Sequence, residues 1–169
     1  MSNRTTNIIA VILLSFMLVL AVSSMSGDSL TMDELAHLPA GYSYLTQKDM
    51  RLNPEHPPLI KDLAGIPLLF IKALSPDGQA IKFPSNIKEW KEDVNGQWGF
   101  GNKFLFKVGN PADKMIFWGR IPMIGILILL GFFVFRWTKE IFGNKAAILS
   151  LFLSLLAISN FPSFSPSFS

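Results

Sequence analysis

The 169-residue sequence has no cysteine, only two histidines and two tyrosines, and few charged residues, 16% of the total. Without cysteine there is no disulfide framework and no thiolate metal site, and the redox compartment leaves no mark on the chain. Any divalent metal would have to be held by His37, His56 and carboxylates. The shortage of charge argues against an ordinary soluble domain, because half of the residues are hydrophobic and the mean hydropathy is +0.38. The net charge of +3 comes from basic residues scattered singly among acidic ones, which gives no footprint for nucleic acid. Membrane lipid is the partner this composition predicts.

What the chain does have is long apolar runs. The first, IIAVILLSFMLVLAV from Ile8 to Val22, is about the minimum length for crossing a hydrocarbon core of roughly 30 Å. The h-region of a signal peptide is the alternative, since Arg4 precedes it and small residues follow in AVSSMSG. Its length and the recurrence of apolar runs downstream favour a retained anchor. The second run, IPMIGILILLGFFVF from Ile121 to Phe135, is bracketed by Trp118 and Trp137, as expected where indoles settle at two interfaces. The third, AAILSLFLSLLAIS from Ala146 to Ser159, is short for a crossing and leads into the low-complexity tail NFPSFSPSFS.

The expected fold is therefore an all-α membrane protein with about three transmembrane helices and a long extracytoplasmic loop containing interfacial amphipathic helices. The divisions are a cytoplasmic tail and first span over 1–24, the outer loop over 25–119, a second span over 120–137, a cytoplasmic turn over 138–145, a third span over 146–160 and a tail over 161–169. Orientation follows from the short connection RWTKEIFGNK, whose Arg136, Lys139 and Lys145 outnumber Glu140 and place it inside, with the N-terminus also cytoplasmic.

Within the outer loop, Thr31 and Glu34 stand at capping-box spacing, so a helix should start near Met32. Leu35, Leu38, Tyr42 and Leu45 give it one apolar face, and Pro39 should kink it. The prolines of RLNPEHPP predict an extended link that presents Glu55 and His56 outside any regular ladder. Pro58 then suits the first position of a helix over PLIKDLAGIPLLFIKAL, where Lys61, Asp62 and Lys72 interrupt the apolar pattern and favour an interfacial position. The polar stretch from Ser75 to Lys107, with its interspersed aromatics, reads as a loop or lid. Asn110 and Asp113 read as a cap and turn before the second span.

Candidate chemistry lies in the acids. The capping box accounts for Glu34 completely, so its catalytic and structural readings stand level. Asp33 has no such exclusive duty, although any acid in a first helical turn gains from the macrodipole. His37, one turn beyond, could join the acids around a metal, but DELAH lacks the first histidine of a zinc-protease helix. Glu55 and His56 divide between a Pro-rich turn and a polar wall of a site. Arg120, at the mouth of the second span in FWGRIP, reads from its position as an interfacial snorkelling residue, since a charge at hydrocarbon depth is costly unless it snorkels or is paired.

The segments DELAHLPAGYSYL, RLNPEHPPL, FGNKFLF, NPADKMIFWGRIP and FRWTKEIFG, in that order, resemble the N-terminal portion of bacterial membrane glycosyltransferases of family 39, of the GT-C type and related to the protein O-mannosyltransferases. The resemblance runs from about Thr31 to Ser159. It implies an enzyme that moves a sugar from a polyprenyl-phosphate carrier to an extracytoplasmic acceptor, protein or glycolipid, at the cell membrane, without a nucleotide-sugar fold; no cofactor is expected, a divalent metal being the alternative. It implies Asp33 and Glu34 as the catalytic pair, Arg120 as the donor-phosphate ligand, and His37, Glu55 and His56 as site wall. Family members carry more spans and usually an LSPNxxAHG-type segment after the third, where this chain has ISNFPSFSPSFS, so the sequence reads as a fragment. The competing class is a membrane-anchored sensor or binding module. Against it, the second span leads through a basic turn into another apolar run, and the outer loop lacks alternating strand patterns.

Overall fold

The computed structural model describes residues 1–27, 29–74 and 78–159, and all regular structure among them is helical. The predicted tail over 161–169 lies outside the described residues. The chain divides into two compact units, one formed by Met1–Ser29 with Met123–Ser169 and the other by Leu30–Pro122.

In the first unit, α1 spans Asn3–Gly27, α7 spans Ala112–Phe142 and contributes its part from Met123 onward, and α8 spans Asn144–Ser159. Both α1, over Asn3–Met25, and α7 are long and apolar enough to cross a membrane, with mean hydropathies of 2.7 and 2.0. Their side chains do not behave as a soluble core would: only 17% of the most apolar window of each is buried. Val11, Ile12, Val19, Leu129 and Leu130 all point outward. A thin seam of Ala10, Met17, Phe135, Ala147, Leu151 and Leu155 holds the three helices together. At 16 residues α8 is shorter than the roughly 20 needed for a perpendicular crossing. The basic turn is much tighter than the sequence suggests. Helix α7 runs on through Trp137 to Phe142, and Gly143, at φ 83°, makes the turn as a left-handed C′ residue that a Cβ would strain.

In the second unit, α2 spans Met32–Gln47, and the capping box is present in both directions. The Glu34 amide donates to Thr31 Oγ1 at 3.2 Å, and the Thr31 amide donates to Glu34 Oε2 at 2.9 Å. The helix continues through Pro39 and buries Ala36, Leu38, Ala40 and Tyr44. Pro58 caps rather than begins α3, Leu59–Gly65, and Pro67 tightens the chain into a 3₁₀ turn over Ile66–Phe70 before the short α4, Ile71–Leu74. The single long helix expected there is thus three shorter pieces. A Cβ on Gly41 of α2 would fall onto the Lys61 carbonyl of α3, so α2 and α3 cross at backbone contact.

The stretch expected to be a loop or lid folds instead into α5, Lys88–Lys91, α6, Gln97–Asn102, and a π-helical turn over Lys103–Lys107. Its aromatics explain the difference. Phe100 and Phe104, four residues apart, are fully buried and stack at 5.7 Å, while Tyr42 of α2 reaches Phe104 at 5.5 Å and Phe83 meets Trp90 edge-on at 4.8 Å. These rings are the core of the unit, not a cover over it. Asn110 ties the same stretch down by accepting from the Lys82 amide at 2.7 Å and donating to the Phe104 carbonyl at 2.8 Å.

Candidate functional site

The helix start that presents Asp33 and Glu34 is fixed by the Thr31 cap, and Arg120 reaches it from the N-terminal part of α7. Arg120 Nε donates to Glu34 Oε1 at 2.5 Å and Nη2 donates to Oε2 at 2.7 Å, a two-pronged pairing of planar groups that are 14% and 27% exposed. Burial acts most strongly on the Glu34 carboxyl and pushes its pKa up. The Arg120 hydrogen bond and the Thr31 amide oppose that push and hold the group below its ordinary value. Glu34 is therefore ionised at neutral pH and committed to two partners. Asp33, one residue earlier, is exposed.

His37 lies one turn along α2 from Asp33, and its ring meets that of His56 edge-on, with centroids 5.8 Å apart. Burial, followed by the positive charge of Lys61, lowers the His37 pKa, and the Asp33 carboxylate pulls the other way. The imidazole is thereby kept neutral at pH 7. Two histidines so placed offer hydrogen-bonding edges, but among the described residues no group of three or more ligand side chains is gathered to hold a metal ion.

The residue that sequence reasoning missed is Lys61. By pattern it is an interruption in an apolar run, yet it is 1% exposed and its ammonium is the hub of the Asn53–Pro58 link. Nζ donates to the Asn53 carbonyl at 2.8 Å, the His56 carbonyl at 2.8 Å, and Asn53 Oδ1 and Tyr44 Oη at 3.2 Å each. Every one of these acceptors is neutral, and burial lowers the Lys61 pKa. From Asn53 the network runs through Gln97 Oε1 at 2.5 Å and Asn95 Oδ1 at 2.8 Å to Glu55, which accepts from Asn95 Nδ2 at 2.6 Å. Glu55 thus ties the link to the segment before α6, while His56, whose carbonyl is fixed by Lys61, keeps an exposed ring beside His37. The available signal was a lysine at the third position after a double proline, inside a run otherwise too apolar to need one.

The structure therefore gathers Glu34 with Arg120, and Asp33 with His37, His56 and Lys61, all within the Leu30–Pro122 unit. Compared with family models, with curated proteins and with solved structures, the chain matches none.

Proposed function

We propose that the chain forms part of the catalytic face of a multi-pass membrane glycosyltransferase, which takes a sugar from a polyprenyl-phosphate carrier and passes it to a protein or glycolipid on the outer side of the cell membrane. The motif resemblance to family 39 supplies the reaction class. The observation that carries the reading at the site is an exposed carboxylate, Asp33, next to a paired carboxylate and guanidinium, Glu34 and Arg120. The outward-facing apolar surfaces of α1 and α7 support a bilayer setting.

In this reading Glu34 holds the Arg120 fork flat in the resting site, and the carrier's phosphate diester takes Arg120 by exchanging one oxyanion for another. The bond between the sugar anomeric carbon and the phosphate oxygen breaks, and polyprenyl phosphate leaves with the electron pair. The acceptor hydroxyl forms the new bond to that carbon and gives its proton to Asp33. The positive charge developing on the sugar favours a carboxylate nearby. Neutral His37 and the His56 ring offer hydrogen bonds to sugar hydroxyls.

The test uses the complete enzyme in proteoliposomes, with radiolabelled polyprenyl-phosphate sugar and with polyprenol lacking the phosphate. Asp33→Asn should lower transfer by about a hundredfold, the scale of a lost general base, and leave donor binding unchanged. Arg120→Gln should weaken binding of the phosphorylated carrier alone. Wild-type protein that binds the phosphorylated carrier no better than free polyprenol overturns the reading.

A further inference from the structure

The first unit contains a cavity of about 550 Å³ that takes no part in the sugar-transfer site. It runs between α1 and the C-terminal half of α7, and its lining changes character along its length. From Asn3 to Leu14 it follows α1 for about 16 Å at the helical rise of 1.5 Å per residue. Val11, Leu14 and Phe132 make the inner part apolar, whereas Asn7, Arg136 and Lys139 make the outer part polar and cationic.

Charge accumulates at that outer end. Lys139 Nζ donates to Asn7 Oδ1 at 2.8 Å, and Arg136 Nε donates to Glu140 Oε1 at 2.6 Å. Asn144 Nδ2 donates to the Met1 carbonyl at 3.0 Å, which brings Arg4 and Lys145 to the same end. Glu140 is the acidic residue set against these four cationic side chains. The N-termini of α1 and α8 both point there, which adds partial positive charge. An apolar trough with a cationic mouth is complementary to one kind of molecule, an amphiphile with an anionic head.

We infer that this crevice binds an anionic glycerophospholipid, with the phosphate at Arg136 and Lys139 and an acyl chain along Val11, Leu14 and Phe132. The inference rests on the bilayer setting proposed above, but not on sugar transfer. Phosphate is the head chemistry that fits, because Lys139 carries three N-H donors and Arg136 five, and the hydrogen bonds to Asn7 and Glu140 described above engage one of each. Glu140 opposes the lipid by competing for Arg136.

The full chain is placed in phosphatidylcholine bilayers with trace spin-labelled phosphatidylglycerol or spin-labelled phosphatidylcholine, and the motionally restricted fraction of each is measured. The wild type should prefer the anionic lipid by about fivefold, the worth of one cation near a membrane surface, with the preference falling as salt rises. Arg136→Gln with Lys139→Gln should remove the preference. Glu140→Gln, an exposed change with little to disturb in the fold, should raise it by freeing Arg136, a gain that no loss of folding could mimic. Equal restriction of both lipids by an inserted wild-type chain overturns the inference and leaves the transferase reading untouched. A chain that alkaline carbonate strips from the bilayer overturns the membrane setting and the lipid site together.

Discussion

Glu34 is the residue on which sequence and structure meet most informatively. Its capping role was legible because both partners of the box lie within one turn, and T-x-x-E spacing encodes both hydrogen bonds. Its pairing with Arg120 was not, because 86 residues separate the two and no local pattern links them. The pair makes a pH-dependent contribution to stability whose sign is fixed. The folded-state pKa of Glu34 is depressed below 4.5, so the contribution is fully present above that value and is lost as pH falls through the folded value. His37, also depressed, weakens the fold in the same direction, beginning as pH falls through 6.5. Comparison of wild type with Glu34→Gln in detergent separates the two. The variant should be less stable at pH 7 by roughly 1.5–3 kcal/mol, the range for a hydrogen bond to a charged group, and the difference should shrink steadily below pH 4.5. A difference that stays constant to pH 3 would mean that the ion pair contributes nothing.

At the scale of elements, what the sequence concealed was packing between short pieces. The helices α5 and α6 are too short to show a full amphipathic period, so polar composition outweighs periodicity there, and only the four-residue spacing of Phe100 and Phe104 hints at a buried face. Helix α2 was readable because its apolar positions, Leu35, Leu38, Tyr42 and Leu45, repeat over about three turns. Its closeness to α3 was not, because a lone glycine in a helix announces no particular neighbour. Gly41 makes that closeness possible: a Cβ there would overlap the Lys61 carbonyl, and backbone cannot step aside as a flexible side chain would. Gly41→Ala gives better helix propensity by about 1 kcal/mol yet should still destabilise the protein by about 1–3 kcal/mol net, because α3 must shift and carry Lys61 away from Asn53 and His56. Thermal unfolding followed by circular dichroism checks the sign. A more stable Gly41→Ala variant would show that α3 moves at no cost and that the Lys61 network is not tied to this crossing.

For the whole molecule, the open question is which side of a membrane each connection occupies. The apolar cores of α1 and α7 were visible in the sequence, the second with an indole near each end, but their full lengths were not, because α1 runs to 25 residues and α7 extends past both tryptophans to 31. Orientation depends on something the fold does not display, the bias of lysine and arginine in short loops toward the cytoplasmic side. Arg136, Lys139 and Lys145 around the Gly143 turn, with Arg4 at the start of α1, predict that both ends of this connection are inside. On that prediction the stretch between α1 and α7 lies outside, where the function proposed above needs the lipid-linked sugar to be presented. The absence of cysteine makes the prediction direct to test, because every introduced thiol is the only one. Asn86 and Lys145 are both exposed, so a cysteine at either position disturbs no packing. In intact cells Asn86→Cys should react with a membrane-impermeant maleimide, and Lys145→Cys should react only after permeabilisation. Reaction at Lys145→Cys alone would invert the chain and put Asp33 and Arg120 on the cytoplasmic side, where the carrier-linked sugar would have to be met before it is flipped. Equal reaction at both positions without permeabilisation would place them on one side of the bilayer, so that α7 does not cross.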